Sequence, residues 1–313
     1  MKRDQTYGYM LVLAAGILWG SAGLFSTLLS SAGLSSSMVA FFRLASGAMF
    51  LGVFLFFRYG LSVFRISLRG LAWCLLLGIF VEGLYNLSYS AAVEESGMAA
   101  ATVMLYTSPV FVCIMSRFLF KEKITQIKIA ALILNIAGCM LAVTGGSFGD
   151  IHIPLTGFAA GIAAGLLYSL LPVINTETLG KYNLLTMNFY GMIIGAVMLM
   201  FISRPWEAAT QLADAKTLLT ILGYGLIPTC IPYILYLKGL SKRLETSKVP
   251  VVSSFETVSS ALIGALVLGQ ALSTGKAAGI IVVLMSVMLM NANPEKLMNT
   301  LRFRSVRGLR RHA

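Results

Sequence analysis

The sequence predicts an all-α integral membrane protein with ten transmembrane helices arranged as two inverted five-helix repeats. Three observations carry that expectation. The 313 residues are 58% hydrophobic and 12% charged, with a mean hydropathy of +0.84, far too apolar for a soluble domain. Apolar runs near the roughly 20 residues that cross a bilayer recur along the whole length, bounded by charges, Gly/Ser clusters or Pro. The cations also alternate between connections as a fixed topology demands. With the N-terminus in the cytoplasm, inside connections hold Lys2 and Arg3; Arg58, Arg65 and Arg69; Arg117, Lys121, Lys123 and Lys128; Lys181; Lys238, Lys242, Arg243 and Lys248; and Lys296, Arg302, Arg304, Arg307, Arg310 and Arg311. These twenty stand against Arg204, Lys216 and Lys276 outside, which places both termini in the cytoplasm of a cell-membrane protein. The net charge of +12 therefore implies no nucleic-acid partner.

The expected spans are 8–29, 36–57, 70–92, 97–118 and 125–145 in a first repeat over 1–148, and 155–176, 183–203, 216–238, 246–268 and 274–292 in a second over 149–293. Residues 294–313 form a basic cytoplasmic tail whose mixed basic and apolar residues suit an anionic leaflet. An odd number of spans per half forces the second half to enter the membrane from the opposite side. A register offset of 148 sets Tyr85 on Tyr233, Gly47 on Gly195 and Val103 on Val251. A one-residue shift pairs Gly16 with Gly165 and brings Trp19 onto Tyr168.

The first run follows Lys2 and Arg3 like a signal peptide, but its length and the nine later spans make it an uncleaved helix. In it, Gly16 and Gly20 have the small-xxx-small spacing of close helix packing, as do Gly157, Gly161 and Gly165 in the sixth span. Trp19 and Tyr168 sit deep in their spans, away from the interfacial belts where aromatics are usually placed, and are candidates to line a cavity. Arg43 lies about two turns into the second span, where it either snorkels to the headgroups or faces a cavity. The third span sets Glu82 near mid-membrane, with Tyr85, Asn86 and Tyr89 on the same face. Such a polar stripe has to face protein or water. Pro109 in the fourth span, Pro172 in the sixth, Pro228 and Pro232 in the eighth and Pro250 in the ninth are candidate kinks or hinges.

The ninth span carries Glu256 near its middle. A charge there costs a few kcal/mol, so Glu256 faces a polar interior or pairs with Lys248, itself a candidate anchor or gate. At the offset of 148, Glu82 corresponds to Cys230, Glu256 to Ser108 and Arg43 to Gly191, so the scaffold is duplicated but its charges are not.

Several chemistries are excluded. Cys74, Cys113, Cys139 and Cys230 all fall within apolar runs, which favours packing over disulfides or a metal site. His152 and His312 both lie outside the spans, so no intramembrane His dyad or metal cluster is encoded. GQALSTGK has five residues between its glycines and Ala277 where a phosphate loop has Ser or Thr. The sequence points to neither an enzyme nor a cofactor, and the scarcity of reactive groups favours transport over catalysis.

SGMAAATVMLYTSPVFVCIMSRFLFKEKIT in the fourth and fifth spans, and TSKVPVVSSFETVSSALIGALVLGQALS in the ninth and tenth, resemble the paired motifs of the EamA-like branch of the drug/metabolite transporter superfamily. The family's Pro thirteen residues before a Glu is met by Pro109 and Glu122, and its Lys eight residues before a Glu by Lys248 and Glu256. Thr257 stands where the family has Pro, and Gln270 where it has Glu. Gly16, Trp19 and Gly20, and Arg43, also look like the family. The resemblance implies a ten-helix carrier with an inverted repeat and a central cavity, moving small metabolites such as amino acids, often outward.

The combined expectation is a secondary active transporter that exports an amino acid or organic cation by alternating access, with the proton as a possible coupling ion. Glu82, Glu256, Arg43, Tyr85, Trp19, Tyr233 and Asn86 are the expected substrate-binding residues, and Lys248 and Pro109 the expected gate or structural ones. The alternative is a channel or a lipid-handling membrane protein.

Overall fold

A computed structural model describes residues 2–147 and 153–291. These residues are helical, and the only β pairing among them is an isolated bridge between Leu179 and Tyr182. The expected tail at 294–313, together with His152 and His312, lies outside the described residues. We label the helices α1 (Lys2–Trp19), α2 (Ala22–Ser31), α3 (Ser36–Tyr59), α4 (Leu68–Leu105), α5 (Ser108–Leu119), α6 (Gln126–Thr144), α7 (Leu155–Thr178), α8 (Leu184–Ser203), α9 (Ala215–Leu240), α10 (Thr246–Val267) and α11 (Thr274–Asn291).

Local chemistry starts several of these helices. Ser35, Ser67, Thr125, Asn183 and Asp214 each accept a bond from a backbone N–H of the first turn, satisfying donors that a helix leaves orphaned. Gly145 ends α6 with φ 66°, a conformation that glycine adopts without a Cβ penalty.

Among the described residues nine helical stretches are long and apolar enough to cross a membrane, with α1 and α2 forming one stretch over Arg3–Ser31. The sequence expects ten. The difference lies at 97–118, which is not one continuous helix. The 38-residue α4 contains the third expected span and the start of the fourth, and would overshoot a bilayer core if it were straight. Gly97, at φ 81° and ψ 158°, breaks it. A turn at Tyr106 and Thr107 then separates α4 from the twelve residues of α5. Pro109 belongs to the first turn of α5, where its missing N–H matters little, instead of kinking the centre of a span.

Other departures from regular helix recur in the two halves. A π-helical segment over Leu77–Leu84 in α4 has a counterpart over Leu226–Cys230 in α9, where Pro228 removes one donor. Thr229 Oγ1 bonds the Tyr224 carbonyl there at 2.9 Å. The turn at Tyr106 and Thr107 likewise has a counterpart at Ser254 in α10, and both are bridged by tight 3.0 Å bonds, Val110 N–H to the Thr107 carbonyl and Thr257 N–H to the Ser254 carbonyl. Helix α3 starts at Ser36 and α8 at Leu184; α6 starts at Gln126 and α11 at Thr274.

Helix α1 packs on α9 and α10, α3 on α8, α4 on α7 and α8, and α6 on α11. The largest core cluster joins Val12, Leu44, Leu77, Leu171, Met192 and Leu237, drawing on both halves. The small-residue stripes serve this packing. A Cβ added at Gly16 would lie 2.6 Å from the Ser253 carbonyl, at the break in α10. One added at Gly165 would lie 3.1 Å from the Met104 carbonyl, at the break between α4 and α5.

Candidate functional site

The helix breaks surround a cavity of about 270 Å³ near the centre of the bundle. It extends from Pro228 and Tyr233 in α9 to Ser36 at the start of α3 and to Val93 and Met98 beside the Gly97 break. Six of the seven expected binding residues line it: Trp19, Arg43, Tyr85, Asn86, Tyr233 and Glu256. Glu82 does not; it sits one layer behind the wall, 2% exposed, and accepts a 2.7 Å bond from the Tyr233 hydroxyl.

Arg43 turns inward instead of snorkelling. Its Nη2 donates to Asn86 Oδ1 at 2.9 Å, and Asn86 Nδ2 donates to the Glu82 carbonyl at 2.6 Å. A guanidinium is thus held by a neutral amide just past the π-helical stretch of α4, and that amide is anchored to a carbonyl within the stretch. Glu256 stands just past the Ser254 break, with the Tyr106 hydroxyl 3.5 Å from its Oε1. Tyr106 in turn accepts a bond from Thr257, the residue that follows Glu256. Among the described residues, Arg43, Glu82 and Glu256 have no oppositely charged side chain within 4.0 Å. The Glu256–Lys248 pair considered from sequence does not form, since Lys248 bonds Glu245 at 3.0 Å.

Aromatic rings complete the wall. Trp19 packs edge-on to Tyr233, centroids 5.9 Å apart, and Tyr85 packs against Tyr168 at 5.1 Å. Each pair maps onto the other, Tyr85 onto Tyr233 at an offset of 148 and Trp19 onto Tyr168 one residue further. Tyr106 and Tyr224, not among the residues expected at the site, also line the cavity from deep in apolar runs. The criterion that singled out Trp19 would have found them.

The opposite end of the bundle is tied shut by charge. Lys128, 6% exposed, bonds Ser247 Oγ at 2.9 Å, pairs with Glu245 at 2.8 Å and lies 3.7 Å from Glu122. Glu122 accepts from the backbone N–H of Thr246 at 2.6 Å and of Ser247 at 3.2 Å, and from the Ser247 hydroxyl. These bonds join the α5–α6 connection of the first half to the start of α10 in the second. Burial pushes the Glu245 carboxyl up, but bonds from Lys128 and Lys248 and their charges outweigh that and hold it below the usual carboxylate range. Lys248 is part of this cluster and Pro109 lines neither site. The hub, Lys128, was legible in the sequence only as one more inside cation.

All four cysteines are buried and free. Among the described residues, no group of three or more His, Cys, Asp or Glu is placed to hold a metal.

The fold and the cavity define a class: a multi-pass helical membrane protein with a small polar and aromatic chamber at its centre, closed at one end. The chain belongs to the EamA-like transporter family, whose model matches residues 6–144 and again 155–292. It is 26% identical over 291 residues to an uncharacterized transporter of Archaeoglobus fulgidus, covering 92% of this chain and 97% of that one. It is also 26% identical over 295 residues to the uncharacterized inner membrane transporter YicL of Salmonella typhimurium, covering 92% and 96%. A crystal structure with 19% sequence identity superposes with a TM-score of 0.76 over 91% of this chain and 96% of that one, a likeness of fold. These relationships indicate a transporter and not an enzyme.

Proposed function

We propose that the protein is a secondary active carrier that exports a small zwitterionic or cationic metabolite, an amino acid or an organic cation, by alternating access. The observation that carries this reading is the cavity itself. Arg43 and Glu256, of opposite charge and each without an ionic partner, line one aromatic chamber of about 270 Å³. The guanidinium suits a substrate carboxylate, and Glu256 with the surrounding rings suits an ammonium group. Glu82, behind Tyr233, tunes that wall or carries a coupling proton.

The reading includes ten spans as two inverted repeats over 1–148 and 149–293, with the interrupted 97–118 stretch serving as the fourth. The two matches to one family model and the recurring breaks at an offset of 148 support it. The positive-inside bias supports cytoplasmic termini. On that orientation the Lys128 cluster is a closed cytoplasmic gate and the cavity leads outward.

The test is thermal stabilisation of the detergent-purified protein by amino acids, organic cations, nucleosides and sugars at two pH values, followed by counterflow in proteoliposomes with any hit. The expected result is an amino acid or organic cation whose stabilisation and exchange are lost in Glu256→Gln and weakened in Arg43→Lys. Glu82→Gln should abolish gradient-driven accumulation while sparing exchange. A hit indifferent to the first two substitutions would sink the assignment of the site.

A further inference from the structure

A second and larger concavity, about 610 Å³, lies on the outside of the bundle between α3 and α8. Every side chain lining it is apolar, from Phe41 and Met200 at one end to Phe57, Phe64 and Phe189 at the other. From Phe41 to Phe57, at 1.5 Å per residue, α3 runs about 24 Å along it, most of a roughly 30 Å hydrocarbon core. Its floor depends on Gly52, where a Cβ would come 2.7 Å from the Phe189 ring. Nothing in this groove can coordinate a polar solute.

Its end nearer the Lys128 cluster is not apolar at the rim. Arg58 directly follows Phe57, and Arg65 directly follows Phe64, so two cations are one residue away from the groove's aromatic end. Both are exposed, and among the described residues neither has a carboxylate within 4.0 Å. Arg58 instead lies 5.3 Å above the Tyr59 ring. Topology accounts for basic residues at this end of the bundle, but not for two exposed guanidinium groups without a carboxylate partner, each one residue along the chain from a ring that lines a groove built only from hydrocarbon.

We propose that this groove binds an anionic phospholipid, one acyl chain lying between α3 and α8 and the phosphate held by Arg58 and Arg65. A guanidinium fork matches a phosphate in geometry and charge, and an acyl chain matches the wall in chemistry. Neither feature alone selects an anionic lipid; their adjacency does. The assignment is independent of the substrate and of the transport reading.

Native mass spectrometry of the full-length protein tests it, with dioleoyl phosphatidylglycerol and dioleoyl phosphatidylcholine added in equal amounts and inorganic phosphate in a separate arm. Phosphatidylglycerol adducts should survive a collision energy that strips phosphatidylcholine, and R58Q/R65Q should lower their retention at least fivefold. Gly52→Leu, which fills the groove and leaves the charges, should lower retention of phosphatidylglycerol as well. Glu256→Gln should leave it unchanged. Equal retention of the two lipids, or of phosphatidylglycerol by wild type and R58Q/R65Q, would overturn the proposal. So would phosphate competing away the lipid with Gly52→Leu silent, which would mean a headgroup site without the groove. If R58Q/R65Q does not fold, Gly52→Leu in the same assay still decides.

Discussion

At the residue scale, the charges inside the bundle are held by neutral partners. Glu82 depends on one hydroxyl, Arg43 on one amide, and Glu256 on a long contact with Tyr106. Tyr233→Phe removes the hydroxyl and leaves a 2%-exposed carboxyl without its bond. We expect a loss of about 1–3 kcal/mol, read as a lower melting temperature in detergent, with Glu82→Gln in the same background recovering part of it. A double variant no more stable than Tyr233→Phe alone would argue against that bond. The sequence made these positions legible because a charge in an apolar run demands an interior partner. It could not separate Asn86 on the cavity wall from Glu82 behind it, since four residues on one helical face differ in depth only once a neighbouring helix supplies Tyr233.

At the element scale, the helices are interrupted where the site needs them to be. Helix α1 crosses the α10 break closely enough that a side chain at Gly16 would collide with backbone. Gly16→Leu should therefore destabilise by about 1–3 kcal/mol, as overpacking does, and should reduce ligand-induced stabilisation, whereas Gly60→Ala, with open space around it but φ 71°, should affect stability alone. Unchanged ligand response in Gly16→Leu would separate that contact from the cavity.

The ion cluster has its own pH signature. The Glu245 carboxyl is held below its unfolded value, so its contribution to stability is complete above roughly pH 4.3 and is lost as pH falls through the folded value. Acid melting curves of Glu245→Gln should accordingly be flatter than wild type below about pH 4. Parallel curves would assign the acid sensitivity elsewhere. Pro109 shows what an element hides: the residue reads as a mid-span kink, yet it occupies the first turn of a helix, because Tyr106 and Thr107 already form the turn.

At the scale of the whole molecule, the cavity leads to one end of the bundle and the Lys128 cluster ties the other. Lys128→Met leaves Glu122 and Glu245 without their central cation, and because Glu245 is half exposed the cost is that of a partly screened pair. That loss falls on the closed arrangement, so a cysteine introduced at Ser247 should become more than tenfold more reactive to a membrane-impermeant maleimide applied from the Lys128 side. No change in labelling would mean that this cluster does not hold the end shut.

By itself the sequence determined the all-helical membrane class, the family, the apolar stretches and the intramembrane charges, because each follows from local composition and the solvation cost of polar groups in hydrocarbon. The offset of 148 was visible too, since repeated packing contacts leave repeated small and aromatic residues. Only the tertiary structure decided which residues meet: that Arg43 finds Asn86, that Glu122, Lys128 and Glu245 converge from connections over a hundred residues apart, and that the fourth stretch is interrupted. Those outcomes depend on the rotation and depth of each helix, which are set by contacts between helices and not by the order of residues along any one of them.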